Sequence, residues 1–189
     1  MNDRVWRAEV TLPAFTADGL LPMGDYELSF DELRQSMLVV GYPGCDPHWD
    51  VAWRLMLVDN LVLLAKELWE VGIEEIFVDG SFVEDKLHPN DIDGYFVCYE
   101  WPRKAAELRQ KLNLRNPHKI WTWEVRWPSR GQEKPQLPMW HVYRVELFPH
   151  FGQGAGIVDE YGHELEFPAA FRKRRGDFAR KGIVRLKKS

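Results

Sequence analysis

Asp91 and Asp93 stand two residues apart at the head of the run D-I-D-G-Y-F-V-C-Y, and a Gly80-Ser81 pair lies ten residues before them. On a β-strand, side chains at i and i+2 share a face. The two carboxylates therefore project together, while Ile92, Phe96 and Cys98 take the other face and can pack on a core. Two like charges this close raise each other's proton affinity unless a cation neutralises them. Mg²⁺ takes oxygen ligands and is commonly held by one or two carboxylates plus substrate phosphates, so the spacing has a chemical use. Gly80-Ser81 adds a second part. Glycine allows positive φ and close backbone approach. A helical turn opening at Ser81 would aim free N–H groups and a hydroxyl at the strand ends, where phosphate oxygens could bind. A Gly-Ser pair alone is weak evidence; after an apolar run and before Asp-x-Asp it is far more specific.

The same stretch carries Asp79, Glu84 and Asp85, which are expected to be solvated loop charges, with Glu84 and Asp85 able to serve a helix N-terminus. His88 and His150 are expected to be exposed loop histidines and not acid–base groups. Trp121, Trp123, Trp127 and Trp140 are expected in the core.

The elements that must position these residues follow from periodicity and punctuation. Ser29-Phe-Asp-Glu32 fits a capping box opening a short helix to about Leu38. Asp46 and Pro47 suit the N-cap and first residue of a helix running to Val71, with Gly72 as its stop. Trp53, Met56, Leu57, Asn60, Leu61, Leu64 and Leu68 recur along it at spacings of three and four, which predicts a core helix. Ile73 to Val78 and Asp91 to Tyr99 read as strands, Arg103 to Asn113 as a helix, Ile120 to Trp127 and Met139 to Phe148 as strands. Ser129 to Pro138 reads as a polar loop. A short helix around Phe167 to Arg174 and a strand at Ile183 to Leu186 complete the chain. This order implies α+β (mixed α/β) architecture, a small mixed sheet flanked by helices.

With 189 residues, 45% hydrophobic, 29% charged and 9 Trp, the chain suits one globular domain, 1–189, with an irregular segment 1–45. The net charge of -4 does not imply a purely electrostatic nucleic-acid binder. The distribution is uneven: residues 172–189 carry nine Lys and Arg and one Asp, leaving a net -12 on the first 171. A basic end on an acidic body suggests an intramolecular complement, an anion-binding end, or a solvated tail. Two cysteines without a CxxC, and six histidines without metal spacing to them, give no zinc signature and suggest a reduced, cytoplasmic protein. The start, MNDRVWRAEVTLP, lacks an apolar signal core. The longest apolar stretch, residues 51–71, is broken by Arg54, Asp59, Asn60, Lys66 and Glu67, so no membrane span is expected.

The run G80-S81-F-V-E-D-K-L-H-P-N-D91-I-D93 resembles the nucleotidyltransferase superfamily of the DNA polymerase β type, and its N-D-I-D wording is similar to the minimal nucleotidyltransferases. L-L-P-M-G-D-Y-E, residues 20–27, and R-K-G-I-V, residues 180–184, resemble a bacterial family of nucleotidyltransferase-like proteins. The resemblance implies a nucleotidyltransferase fold that moves a nucleotide from a nucleoside triphosphate (NTP) to a hydroxyl acceptor: protein, RNA or small molecule. It implies Asp91 and Asp93 as ligands of two Mg²⁺ (or Mn²⁺) ions, with Gly80 and Ser81 at the β and γ phosphates. A third carboxylate on a later strand completes such sites; Glu146 is the candidate and Glu124 the rival. Lys86 could reach a phosphate. Arg144, two residues before Glu146, would share its face and either bind phosphate or pair with an acid. Two other function classes stay open. One is a catalytically weak partner protein of this fold in a toxin–antitoxin or phage-defence pair. The other is an RNA-binding module built on the basic end.

Overall fold

A computed structural model describes residues 12–128 and 135–188. The first eleven residues of the expected irregular segment, and 129–134 of the expected loop, lie outside the described residues.

The chain runs β1 (Asp25–Leu28), α1 (Phe30–Gln35), α2 (Met37–Val40), α3 (Val51–Glu70), β2 (Ile76–Asp79), a 3₁₀ turn (Gly80–Val83), β3 (Ile92–Val97) and α4 (Trp101–Arg115). It continues through α5 (Pro138–Tyr143), β4 (Val145–His150), β5 (Gly154–Val158), β6 (Glu164–Glu166), α6 (Phe167–Ala170) and β7 (Ile183–Leu186). Five strands form one mixed sheet in the order β1-β7-β2-β3-β4, with β1/β7 and β3/β4 parallel and the two inner pairings antiparallel. β5 and β6 make a separate hairpin that the sequence pattern did not suggest.

The sheet's two faces differ. Ile76, Val78, Ile92, Phe96, Val145, Leu147, Val184 and Leu186 pack with Leu57, Leu61, Leu64 and Leu68 of α3 in the main core. Each of these α3 leucines is fully buried, worth about 1.5–3 kcal/mol apiece, so this face has energy enough to fix the fold. The opposite face holds a smaller cluster of Phe77, Tyr95 and Ile183 with Phe148, Phe167 and Phe171. The odd-numbered positions of β2 and β3 lie on this face, as the alternation of Asp91 and Asp93 against Ile92 and Phe96 requires.

Several expected boundaries move for identifiable reasons. The capping box forms, with Glu32 N–H donating to Ser29 Oγ at 3.3 Å and Ser29 N–H to Glu32 Oε2 at 2.7 Å. α3 begins at Val51, later than expected: the Asp46 carboxylate is taken by His48 N–H in a local turn, and Asp50 caps the helix by accepting Trp53 N–H at 3.0 Å. The expected strand 120–127 does not form. The Asn113 side chain takes both backbone groups of Trp121, accepting its N–H and donating to its carbonyl, each at 2.9 Å. Only Trp127 bridges, to Gln136. The expected strand 139–148 is half helix, because Pro138 opens α5 and Met139, Trp140 and Tyr143 are buried at helical spacing. The helix expected at 167–174 stops at Ala170. Trp121 and Trp140 are core residues, but Trp127 is 46% exposed.

The basic segment 172–187 is no solvated tail. β7 is an inner strand with Ile183, Val184 and Leu186 buried. Its flanking charges are complemented within the chain: Arg172 by Asp25 at 2.7 Å, Lys173 by Glu160 at 3.0 Å, Arg174 by Asp177, and Arg185 by Glu27 and Glu75 at 2.8 and 2.9 Å. Among the described residues no helix is long and apolar enough to cross a membrane.

Candidate active site

Asp93 is the centre of the site. It pairs in register with Asp79 on β2 and with Glu146 on β4. Directly opposed residues on neighbouring strands share a face, so the three carboxylates form a row across three strands. Asp91 lies two residues earlier, just before β3, near enough for its charge to act on Asp93. The sheet thus brings Asp91, Asp93 and Glu146 together, as the sequence suggested, and adds Asp79, which it did not.

The row is electrostatically costly. Burial, then the neighbouring charges of Asp91, Glu146 and Asp79, push the Asp93 carboxyl up to about 8. Asp93 is half-buried and keeps part of its surface open. Burial raises Asp91 as well, opposed by a hydrogen bond from Trp140 and by the charges of Lys86, Arg144 and Arg175. Trp140 Nε1–H donates to Asp91 Oδ2 at 2.6 Å. Burial also raises Glu146, opposed by Leu137 N–H, which donates to Oε1 at 2.6 Å. Arg126 Nη1 stands 3.8 Å from the same oxygen.

Gly80 fits against this row. Its φ is +75°, and a Cβ there would meet Asp93 Oδ2 at 2.7 Å and Asp93 Cβ at 3.1 Å. Both the turn and the close approach require glycine. Half-buried Ser81 follows in the 3₁₀ turn.

The acids expected to be solvated are not all so. Asp79 is 3% exposed, and Lys181, equally buried, stands 3.2 Å from its Oδ1. Lys181 also donates to Glu84 Oε1 at 2.5 Å and to the Gly80 carbonyl at 3.1 Å. Burial still takes Asp79 up to about 7 despite that lysine. Asp85 is exposed, as expected, and accepts from the Tyr42 hydroxyl at 2.8 Å. Glu124, the rival third acid, is turned out to Arg109 at 2.6 Å and takes no part in the row.

The expected phosphate-facing cations gather about Asp91. Lys86 is exposed, and its charge acts on Asp91. Arg144 lies one residue before β4 and not on the strand with Glu146. It is the left-handed cap of α5, with φ 55°, and its guanidinium lies 3.8 Å over the Trp140 ring. From there its charge also acts on Asp91. Arg175, in the turn closed by the Lys173–Arg180 bridge, acts on both Asp91 and Asp93. The basic run 172–175 was the available signal for it, but nothing local singled out which arginine. His88 is held away by Asp50 at 2.9 Å and stacks on Trp53; His150 is buried beside Tyr95, contrary to the exposed placement expected.

By chemistry the donors suit a hard divalent cation, since they are carboxylates set on neighbouring positions whose mutual repulsion raises the proton affinity of Asp93. Among the described residues no group of three His, Cys, Asp or Glu side chains is already arranged to hold a metal ion. The cause is local: Asp91 is turned to Trp140 and Glu146 to Leu137.

No curated protein sequence and no solved structure matches the chain. One family does, and it takes in the Gly-Ser turn, the acid row and the basic segment alike: residues 13–187 match the family of unknown function DUF6932, and the chain belongs to that family.

Proposed function

We propose that this protein is a Mg²⁺-dependent nucleotidyltransferase that moves a nucleoside monophosphate from an NTP to a hydroxyl acceptor. The observation that carries the reading is the register Asp79–Asp93–Glu146, with Asp91 just before β3 and Gly80 fitted against Asp93. Asp91, Asp93 and Glu146 would hold the cations, with Mn²⁺ as a substitute. Bound there, two such ions would lower the acceptor hydroxyl's pKa and neutralise the triphosphate.

The chain's own residues account for the rest. Lys86, Arg144 and Arg175 surround Asp91 with positive charge that favours a polyphosphate. In the transfer the acceptor oxygen bonds to the α-phosphorus as the bond to the bridging oxygen breaks, and pyrophosphate leaves with that electron pair. The hydroxyl proton passes to Glu146 or a neighbouring carboxylate. Burial has already raised the proton affinity of Glu146, which suits it to hold that proton.

The test is incubation with each NTP labelled at the α-phosphate, Mg²⁺ and cell lysate. Label should move to an acceptor, and an Asp91→Ala, Asp93→Ala variant should fold yet transfer none. A folded wild type that neither labels an acceptor nor binds any NTP would rule the activity out.

The hydrogen bonds that Trp140 and Leu137 already give Asp91 and Glu146 favour a second reading, a catalytically weak partner protein of a toxin–antitoxin or phage-defence pair. Full cellular activity in the double-alanine variant would select it.

A further inference from the structure

The first turn of a helix is an unfavourable place for a cation, because the helix dipole already puts partial positive charge there. α3 nevertheless carries Arg54 in its first turn, and Arg54 is fully buried. Among the described residues its guanidinium hydrogen-bonds to backbone carbonyls alone. Nη1 donates to Leu38 O at 2.7 Å and Phe82 O at 2.8 Å. Nη2 donates to Glu84 O at 3.3 Å and to Lys86 O. The guanidinium lies 3.9 Å over the Trp49 ring. Burial lowers its pKa to about 10, so the group stays charged at neutral pH.

Taking such a group out of water costs several kcal/mol before its hydrogen bonds are counted. The acceptors show what that cost secures. Phe82, Glu84 and Lys86 alternate along the segment that joins the Gly80-Ser81 turn to Asp91. Past the 3₁₀ turn this segment has no helix or ladder of its own; only Glu84 bridges, to Leu20. A planar fork of five donors can satisfy carbonyls in several directions at once, and a lysine ammonium on a flexible stem cannot hold the same set.

We propose that Arg54 is the positioning residue of this loop: one buried guanidinium pins the carbonyls of residues 82, 84 and 86, and so fixes where Ser81 and Lys86 stand relative to the acids, of which Asp93 and Glu146 stand on strands and Asp91 is held by Trp140. What the loop binds rests on the nucleotide reading above; what holds the loop does not.

The test uses the full chain with Arg54→Lys and, as a neutral companion, Arg54→Gln. Three quantities are measured: hydrogen exchange across residues 80–91, affinity for ATP with Mg²⁺, and uptake of Mn²⁺ alone. In Arg54→Lys the loop amides should exchange on the order of 100-fold faster while the centre of α3 keeps wild-type protection. ATP affinity should fall on the order of tenfold, because the competent loop becomes a minor conformer. Mn²⁺ uptake should stay within about twofold, because Asp93 and Glu146 stand on strands and not on the loop. A merely structural role would loosen all three together; that outcome, or unchanged loop exchange, overturns the assignment. If the wild type binds no ATP, the nucleotide reading fails by itself and loop exchange alone decides the role of Arg54. If neither variant folds cooperatively, Trp49→Leu, which removes the ring under the guanidinium together with the indole hydrogen bond to Val39 O but leaves Arg54 itself in place, should still speed loop exchange, and wild-type exchange there would overturn the proposal.

Discussion

Two groups of buried and half-buried acids meet at Asp79 and Asp93, paired across β2 and β3, and the chain treats them differently. Asp79 and Glu84 share Lys181, a cation supplied from the segment before β7 and as buried as Asp79 itself. Asp91 and Glu146 each accept a hydrogen bond, and among the described residues none of Asp91, Asp93 and Glu146 has a cation closer than the 3.8 Å of Arg126. The first group is a structural ion cluster that ties the C-terminal segment to the Gly-Ser turn. The second is negative charge that the fold gathers and leaves short of compensation. Charge gathered at a cost to stability, beside a glycine at positive φ that packs on Asp93, is the imbalance that the proposed cation would relieve.

The largest effect should come from breaking the compensated group. Lys181→Met should cost about 3–5 kcal/mol in urea unfolding, because it strands Asp79 as an unpaired buried charge. The loss should be greater at pH 8.5 than at pH 6, where Asp79, with its pKa near 7, can take up a proton. A cost under about 1 kcal/mol would mean that the two groups are not different in kind.

Removing a charge from the uncompensated group should act in the opposite direction. Asp93→Asn should raise metal-free stability at pH 8.5 by on the order of 1 kcal/mol, since it removes repulsion within the row. The same variant should lose any stabilisation by Mg²⁺. A destabilised Asp93→Asn with intact Mg²⁺ response would reverse the roles assigned to the two groups.

The pH dependence of the wild type follows from the raised carboxyls. Asp93 and Asp79 hold protons in the folded state up to about 8 and about 7, whereas the unfolded chain releases them near 4. The folded state therefore binds more protons between these limits, and stability falls as pH rises through that window. Metal-free melting temperature should drop by a few degrees between pH 5 and pH 8.5, and Mg²⁺ should restore part of it at the upper end. A melting temperature that climbs over that range would contradict the charge imbalance.

The smallest effect on stability should come from Arg175→Ala, within about 0.5 kcal/mol for an exposed turn residue. ATP affinity should nonetheless weaken several-fold, and less so at high salt, as expected for a screened contact to phosphate. Equal loss at low and high salt would remove Arg175 from the phosphate side of the site.

What was legible in the sequence divides along the same line. The phase of Asp93 against Ile92 and Phe96 follows from period-two alternation, a local property, and the sheet bears that phase out, while Asp91 stands one residue before the strand. The apolar face of α3 and its end before Gly72 follow in the same way. Asp79 was misread because a carboxylate that ends an apolar run looks like the start of a turn, and its partner Lys181 lies about a hundred residues further on. No local pattern records that pairing. α5 was misread as strand because M-W-H-V-Y satisfies both periods, and the deciding signal was Pro138 at its start. The stretch 120–127 alternates like a strand, yet the Asn113 side chain supplies the hydrogen bonds a neighbouring strand would have given. Arg54 counted only as a charge interrupting an apolar helix, although its burial makes it the anchor of the loop below.

The most direct test of the uncompensated acid row is Mn²⁺ titration, followed by electron paramagnetic resonance, of the wild type and an Asp91→Asn, Asp93→Asn variant, each with and without ATP. The wild type should take up Mn²⁺, more tightly when ATP is present, while the variant melts cooperatively and takes up none in either condition. Equal uptake by the two proteins, or none by the folded wild type, would contradict the assignment of Asp91, Asp93 and Glu146 as a cation-binding site.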